Sequence, residues 1–89
     1  MPTIHLLIKG DVQGVFYRAS AKKMAEELGV TGWIKNTKDG NVESIISGTD
    51  EQLNRFTSWC RNGPAKATVT GYVETVLEEL CFKEFSIIR

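Results

Sequence analysis

The glycine-punctuated segment from Gly10 to Arg18 has the residue types of an anion-binding loop. It follows an apolar run and leads into a predicted helix, so its backbone N–H groups and the positive end of the helix dipole can point to one place. Arg18 stands at the predicted start of that helix, where a planar guanidinium can bind two phosphate oxygens at once. On the residues alone, an alternative stays open: Gly10 and Gly14 only permit a turn, and Arg18 is a solvated helix residue.

Asn36, at the end of a short predicted strand, is the second candidate. Its amide offers a donor and an acceptor on one rigid group, so it can hold a water and an oxygen of a reacting group together. The residue also precedes an Asp39-Gly40 turn, and an asparagine beside such a turn more often caps it. Taken alone, Asn36 therefore favours the structural interpretation.

Other common catalytic arrangements are missing from the sequence. It has no Gly-x-x-x-x-Gly-Lys-Ser/Thr segment, and neither Cys60 nor Cys81 precedes an arginine at the offset of a thiol phosphatase. We expect both cysteines to be reduced thiols. His5 is the sole histidine, so no second imidazole exists for a triad or a metal cluster, and we interpret it as structural. Packing explains the large aromatic residues Trp33, Phe56, Trp59 and Phe85.

The first half of the chain predicts a strand, a helix and a hairpin. Thr3 to Lys9 is rich in Ile and Leu and ends at a glycine, which predicts a strand. Gly29 ends a helix whose apolar residues recur at i, i+3, i+4 and i+7, namely Ala21, Met24, Ala25 and Leu28. Val30 to Lys35 and Asn41 to Ser47 predict the two strands of a hairpin. The loop from Gly10 to about Tyr17 joins the first strand to the helix.

The second half predicts one more helix and two strands. Thr49 to Gln52 has the form of a capping box, and the helix after it carries an apolar stripe of Leu53, Phe56 and Cys60. Alternation returns from Ala67 to Val76, with Ala67, Val69, Gly71 and Val73 on the apolar side. A last strand uses Phe85 and Ile87 on one face. The order β-α-β-β-α-β, with the last strand added after it, predicts an α+β, ferredoxin-like βαββαβ sandwich: an antiparallel sheet with both helices on one face.

Length and charge restrict the classes of protein further. A chain of 89 residues has room for one modest core, so residues 1–89 are predicted to form a single domain. Lys and Arg number 11, and so do Asp and Glu, which removes the charge excess of a nucleic-acid or anionic-membrane binder. Neither a signal peptide nor an apolar run long enough to span a bilayer is recognisable. We therefore expect a protein of the cytoplasm with no nucleic-acid or membrane partner. A monomer is also expected, although none of these features determines the oligomeric state.

The two segments together resemble the signatures of the acylphosphatases, small enzymes that hydrolyse carboxyl-phosphate anhydrides. Ile8 to Arg18 resembles the first signature. Gly32 to Asn36, followed by Gly40, Val42 and Gly48, resembles the second. The two occur in the right order on the expected elements, and the match in layout runs from Thr3 to Arg89.

The resemblance implies a role for each candidate residue. Arg18 matches the arginine that binds substrate and acts in catalysis, and Asn36 matches the asparagine that positions the attacking water. The implied phosphate cradle consists of the backbone amides of Gln13, Gly14, Val15, Phe16, Tyr17 and Arg18. The implied substrate is a small acyl phosphate, attacked by water directly, with no metal, no other cofactor and no phosphoenzyme.

Three residues depart from the family pattern. Tyr17 stands where Phe is usual, Ile34 where Val or Ala is usual, and Asp11 where a basic residue is common. Of these, Asp11 bears on how strongly the loop attracts an anion. The competing class is a binding module of the same fold that holds phosphate or carbamoyl phosphate without turnover.

Overall fold

A computed structural model describes residues 1–88, and within them the chain forms five strands and two helices around one sheet. In chain order these elements are β1 (Thr3–Asp11), α1 (Tyr17–Leu28), β2 (Thr31–Asn36), β3 (Val42–Ser47), α2 (Asp50–Asn62), β4 (Thr68–Leu77) and β5 (Phe85–Ile88). The strand order is β4-β1-β3-β2-β5. The predicted ferredoxin-like fold is confirmed.

One edge of the sheet differs in direction from the rest. The β1–β3, β1–β4 and β2–β3 pairs are antiparallel as predicted, whereas β5 lies parallel to β2. The connection after β4 carries the chain from one edge of the sheet to the other, so β5 begins at the same end as β2. Periodicity identifies a strand but not its direction, which is why the sequence did not indicate this pair.

The core lies between the sheet and the two helices. Alternation along β1 directs Ile4, Leu6 and Ile8 into this core. The predicted stripe of α2 is buried as expected, and the Phe56 ring lies 5.7 Å from the Phe85 ring, centroid to centroid. Burial of each such side chain contributes about 1.5–3 kcal/mol to stability.

The beginning of α2 confirms the predicted capping box. The Thr49 hydroxyl accepts a hydrogen bond from the Gln52 amide at 3.1 Å, and Gln52 Oε1 accepts one from the Thr49 amide at 2.8 Å. Asp50 and Glu51 add negative charge to the first turn, where it interacts favourably with the positive end of the helix dipole. The donors at this end of α2 are thus satisfied by its own residues.

Within residues 1–88, neither α1 nor α2 has the length and apolar character needed to cross a bilayer.

The strand β4 breaks its predicted alternation. Its register against β1 shifts between Lys9 and Gly10, which is a β-bulge. Beyond the bulge the faces exchange, so Val69 and Tyr72 both pack against the core, while Val73 is 45% exposed. The prediction that Val69 and Val73 share the apolar face is therefore wrong. Gly10 has a φ of 130°, a conformation that glycine adopts without steric cost.

Tyr17 anchors the beginning of α1 in the core. Its ring is buried against Trp59, with centroids 5.4 Å apart, and its hydroxyl donates a hydrogen bond of 2.5 Å to the Cys60 carbonyl. That carbonyl lies in the last turn of α2, where helical carbonyls lack intrahelical donors. Burial raises the pKa of Tyr17 above its ordinary value.

Cys60 and Cys81 are both free, and burial raises the pKa of the Cys60 thiol to about 12.

The Tyr17 hydroxyl should contribute measurably to stability. Tyr17→Phe keeps the ring but leaves the Cys60 carbonyl without its donor, so we expect the free energy of unfolding to fall by about 1–2 kcal/mol. Urea unfolding of both proteins measures the difference. Tyr72→Phe is the control, since its hydroxyl bonds Glu74 at the surface, and it should change stability by less than about 0.5 kcal/mol. Equal effects of the two substitutions would contradict this assignment.

Candidate active site

The loop of residues 12–16 leads from β1 into α1 with an unusual backbone. Gly14 has a φ of 72°, and Phe16, the residue before the helix, has a φ of 62°. Among the hydrogen bonds formed within residues 1–88, none uses a backbone amide of residues 13–16 as donor. The first helical bond runs from the Ser20 amide to the Phe16 carbonyl at 3.0 Å. A row of amide donors is therefore left open at the start of α1.

The two helices differ in how their N-terminal donors are satisfied. In α2, Thr49 and Gln52 form the capping box and acidic residues occupy the first turn. In α1, Phe16 has no side chain able to cap the helix, and the first turn contains no acidic residue. The positive end of the α1 dipole is thus neither capped nor neutralised by the helix's own side chains. Such an end suits an external anion.

Arg18 adds a full positive charge to this end of the helix. It is the second residue of α1, is partly buried, and forms no ion pair with any acidic group of residues 1–88. Arg18 helps to line a cavity of about 420 Å³. The other lining residues are Gly14, Phe16, Ala19 and Ile87. Among residues 1–88, no carboxylate lines this cavity.

Asn36 ends β2 with its side chain on the helix-covered face of the sheet. It lies two residues after the buried Ile34, and alternate residues of a strand share a face. The turn that follows is capped by Thr37, whose hydroxyl accepts from the Asn41 amide at 3.1 Å. Asn36 Oδ1 is buried, and no donor within residues 1–88 reaches it. The interpretation of Asn36 as a turn cap is therefore wrong.

An unpaired buried acceptor has an energetic cost. Leaving such an oxygen without a donor costs about 1–3 kcal/mol, and native proteins retain few of them. The Asn36 oxygen is thus a buried acceptor that no donor of residues 1–88 satisfies. Asn36 is not among the residues that line the cavity of Arg18.

The Gln13 side chain joins the loop to the hairpin that carries Asn36. Its Nε2 donates to the Thr37 carbonyl at 2.8 Å and to the Asn41 carbonyl at 2.7 Å. Both amide hydrogens are therefore used to hold the turn directly after Asn36. The sequence predicted a role for the Gln13 backbone alone. Nothing local could reveal the side-chain role, because its partners lie 24 and 28 residues away.

Asp11 lies outside the loop. The prediction began the loop at Gly10, but the bulge lets β1 continue to Asp11, which pairs with Thr68 of the edge strand β4. Asp11 is exposed there, and it does not line the cavity of Arg18. Asp11 is thus positioned by the pairing of β1 with β4 rather than by the loop.

The donors of the site fit an anion rather than a cation. Backbone N–H groups and a guanidinium carry positive or partly positive hydrogens, whereas a metal ion needs oxygen, nitrogen or sulfur ligands. Across residues 1–88, no three His, Cys, Asp or Glu side chains lie close enough to hold a metal ion.

Comparison with known sequences identifies the family. The sequence model of the acylphosphatase family matches residues 4–87. The chain belongs to the acylphosphatase family. It is 46% identical over 90 residues to an acylphosphatase of Methylococcus capsulatus, covering 100% of this chain and 98% of that protein. It is 44% identical over 87 residues to an acylphosphatase of Bordetella parapertussis, covering 97% of this chain and 93% of that protein.

Solved structures agree with the sequence comparison. The crystal structure of an acylphosphatase from Bacillus subtilis superposes with a TM-score of 0.96 at 31% identity, covering all of both chains. An acylphosphatase from Coxiella burnetii gives a TM-score of 0.93 at 36% identity, covering 98% of this chain and 92% of that one. The family resemblance of the two signatures is confirmed, and none of these relatives favours the non-catalytic module.

The contacts of Gln13 predict that it positions the hairpin for catalysis. Gln13→Ala removes both hydrogen bonds to the turn, so Asn36 should lose its fixed position relative to the loop. We expect kcat for an acyl phosphate to fall about 10- to 100-fold, since small displacements of reacting groups are costly. The inhibition constant of inorganic phosphate should change less, because the loop amides remain.

A matched control separates positioning from stability. Gln52→Ala also removes an amide that bonds the backbone, in the α2 capping box, and should lower stability by about 1 kcal/mol without lowering kcat. If Gln13→Ala kept kcat within about threefold of the parent, Gln13 would have no positioning role.

Proposed function

We propose that this chain hydrolyses the carboxyl-phosphate anhydride of acyl phosphates, giving a carboxylate and inorganic phosphate. The observation that carries the proposal is the uncapped N-terminal end of α1, where open amides and the unpaired Arg18 converge. A phosphate group is the anion that best uses several N–H donors and a two-pronged guanidinium together. Membership of the acylphosphatase family supports the same assignment.

In this proposal the backbone binds the phosphate. The amides of residues 13–18 donate to its non-bridging oxygens, and Arg18 takes two oxygens with its planar guanidinium. In the loose transition state negative charge is spread over these oxygens while the bond from phosphorus to the bridging oxygen breaks. Donors that are already in place stabilise this charge without reorganisation, and that is a principal source of rate enhancement.

Asn36 positions the attacking water. Its side-chain amide, whose oxygen has no donor within residues 1–88, hydrogen-bonds the water and directs the water's lone pair toward phosphorus. The water oxygen forms the new bond to phosphorus, and the bond from phosphorus to the carboxylate oxygen breaks. A carboxylate is a good leaving group, so a loose transition state needs mainly positioning and charge stabilisation.

The proton of the water goes to the phosphate in this mechanism. The residues that line the cavity within residues 1–88 include no carboxylate and no histidine able to act as a base. A phosphate oxygen of the substrate then serves as the base that takes this proton. The absence of a metal or other cofactor, a single domain over residues 1–89, a monomeric state and a cytoplasmic location stay predictions.

Substitution of Arg18 tests its role in binding the transition state. Arg18→Ala should lower kcat/KM for an acyl phosphate by about 10³-fold or more, by analogy with other phosphoryl-transfer arginines. Arg18→Lys should be nearly as severe, because an ammonium cannot make the two-pronged contact. Unfolding in urea should hardly change, since Arg18 has no ion-pair partner in residues 1–88.

The control for Arg18 is an arginine of the other helix. Arg55 pairs with Glu51 on the surface of α2, so Arg55→Ala should keep full activity. Activity of either Arg18 variant within about tenfold of the parent would exclude Arg18 from the reaction.

Substitution of Asn36 separates binding from chemistry. Asn36→Ala should reduce kcat by about 10²- to 10³-fold, while inorganic phosphate still inhibits competitively with a similar constant. Stability should be unchanged or higher, because the variant loses a buried acceptor that has no donor in residues 1–88. Steady-state kinetics with phosphate as inhibitor, and urea unfolding, measure the two effects. Parallel loss of phosphate binding and turnover would make Asn36 a residue of loop structure instead.

A further inference from the structure

Phe16 combines two features that folding alone does not explain. It is the one residue other than glycine within residues 1–88 that has a positive φ, and the residue is 73% exposed. A left-handed backbone is unfavourable for a bulky residue, and an exposed ring gains no burial in return. Glycine or asparagine would meet the backbone requirement of this position at lower cost. The ring is therefore retained for something other than the fold.

The position of the ring indicates that purpose. Phe16 lines the same cavity as Arg18, together with Ala19 and Ile87. The cavity thus has a polar part, formed by Gly14 and Arg18, and an apolar part. Ile87 comes from β5, so a second element of the fold completes the apolar wall.

An acyl phosphate has the same division into a polar and an apolar end. Its phosphate is a dianion. The carbonyl carbon of its acyl group is only two bonds from phosphorus, because a single bridging oxygen joins them. With the phosphate on the loop amides and Arg18, the acyl group has to lie within the cavity beside the phosphate. Its neighbours there are the apolar side chains, of which the Phe16 ring has the largest exposed surface.

We propose that Phe16, with Ala19 and Ile87, forms an acyl-group subsite that favours acyl phosphates with an aromatic acyl group. An aromatic acyl group can stack in an offset or edge-to-face manner on the phenylalanine ring, whereas an acetyl group is too small to cover it. This inference rests on the proposed function, because it takes the phosphate position from the loop and Arg18.

The test compares benzoyl phosphate with acetyl phosphate. Phe16→Asn removes the ring but retains a residue that tolerates the left-handed conformation. Any change in the loop itself affects both substrates, so the ratio of the two kcat/KM values isolates the acyl contact. We expect the ratio of kcat/KM for benzoyl phosphate to kcat/KM for acetyl phosphate to fall about five- to tenfold. That is the effect of leaving part of one face of the benzoyl ring in contact with water. Phe16→Tyr keeps the ring and should keep the ratio within about twofold of the parent.

One further measurement and two further variants complete the test. The Tm of Phe16→Asn should equal or exceed that of the parent, since backbone strain is relieved, and a clear fall would mean that the ring serves the fold. Val76→Thr changes an exposed apolar residue that does not line the cavity, and it should leave both kcat/KM values unaltered. Phe16→Gly offers a second ring-free variant that also accepts a positive φ.

The possible results distinguish this inference from the proposed function. If the parent hydrolyses neither substrate, the proposed function is wrong and the subsite is wrong with it. If both substrates are hydrolysed and both ring-free variants keep the parent ratio, the subsite alone is overturned. An equal loss for the two substrates would also overturn it, because the ring would then act on the loop rather than on the acyl group.

Discussion

The amide donors at the start of α1 are the feature around which the rest of this small fold is organised. A helix always begins with N–H groups that lack intrahelical partners, and α2 satisfies its own with Thr49 and Gln52. The start of α1 has no comparable side chain, and its preceding residue is a phenylalanine in the left-handed conformation. These donors are thus left unpaired within residues 1–88, and in the proposed function they bind the phosphate together with Arg18.

Such donors are useful for catalysis only if the backbone that carries them is held rigidly. On one side, Tyr17 is buried against Trp59 and bonds the Cys60 carbonyl. A side chain at Gly63 would come within 2.7 Å of the Tyr17 ring, so this glycine allows the ring to lie against the end of α2. On the other side, Gln13 holds the turn that follows Asn36. Both anchors reduce the reorganisation that substrate binding would otherwise require.

The sequence predicted most of the elements, since their signals are local. The capping box at Thr49, the stripe of α2 and the hairpin around Gly40 were all recognisable from short-range patterns, and the structure contains each of them. The errors have non-local causes. The bulge in the β1–β4 pair moved Val73 to the exposed side and placed Asp11 in the strand, because register depends on the partner strand. The direction of β5 likewise depends on where the connection crosses the sheet.

By itself, the sequence determined the order of elements, the two signature segments and the residue types that can bind a phosphate group, since each of these depends on neighbouring residues. Only the tertiary structure decided which of those residues are open to a ligand. Asn36 could have capped its own turn, and it is the placement of Thr37 and Asn41 that leaves its oxygen unpaired within residues 1–88. The side-chain role of Gln13 and the shared cavity of Phe16, Arg18 and Ile87 arise from contacts across the fold. Hydrogen bonds and cavities between distant segments exist only once packing has brought those segments together, so no local pattern encodes them.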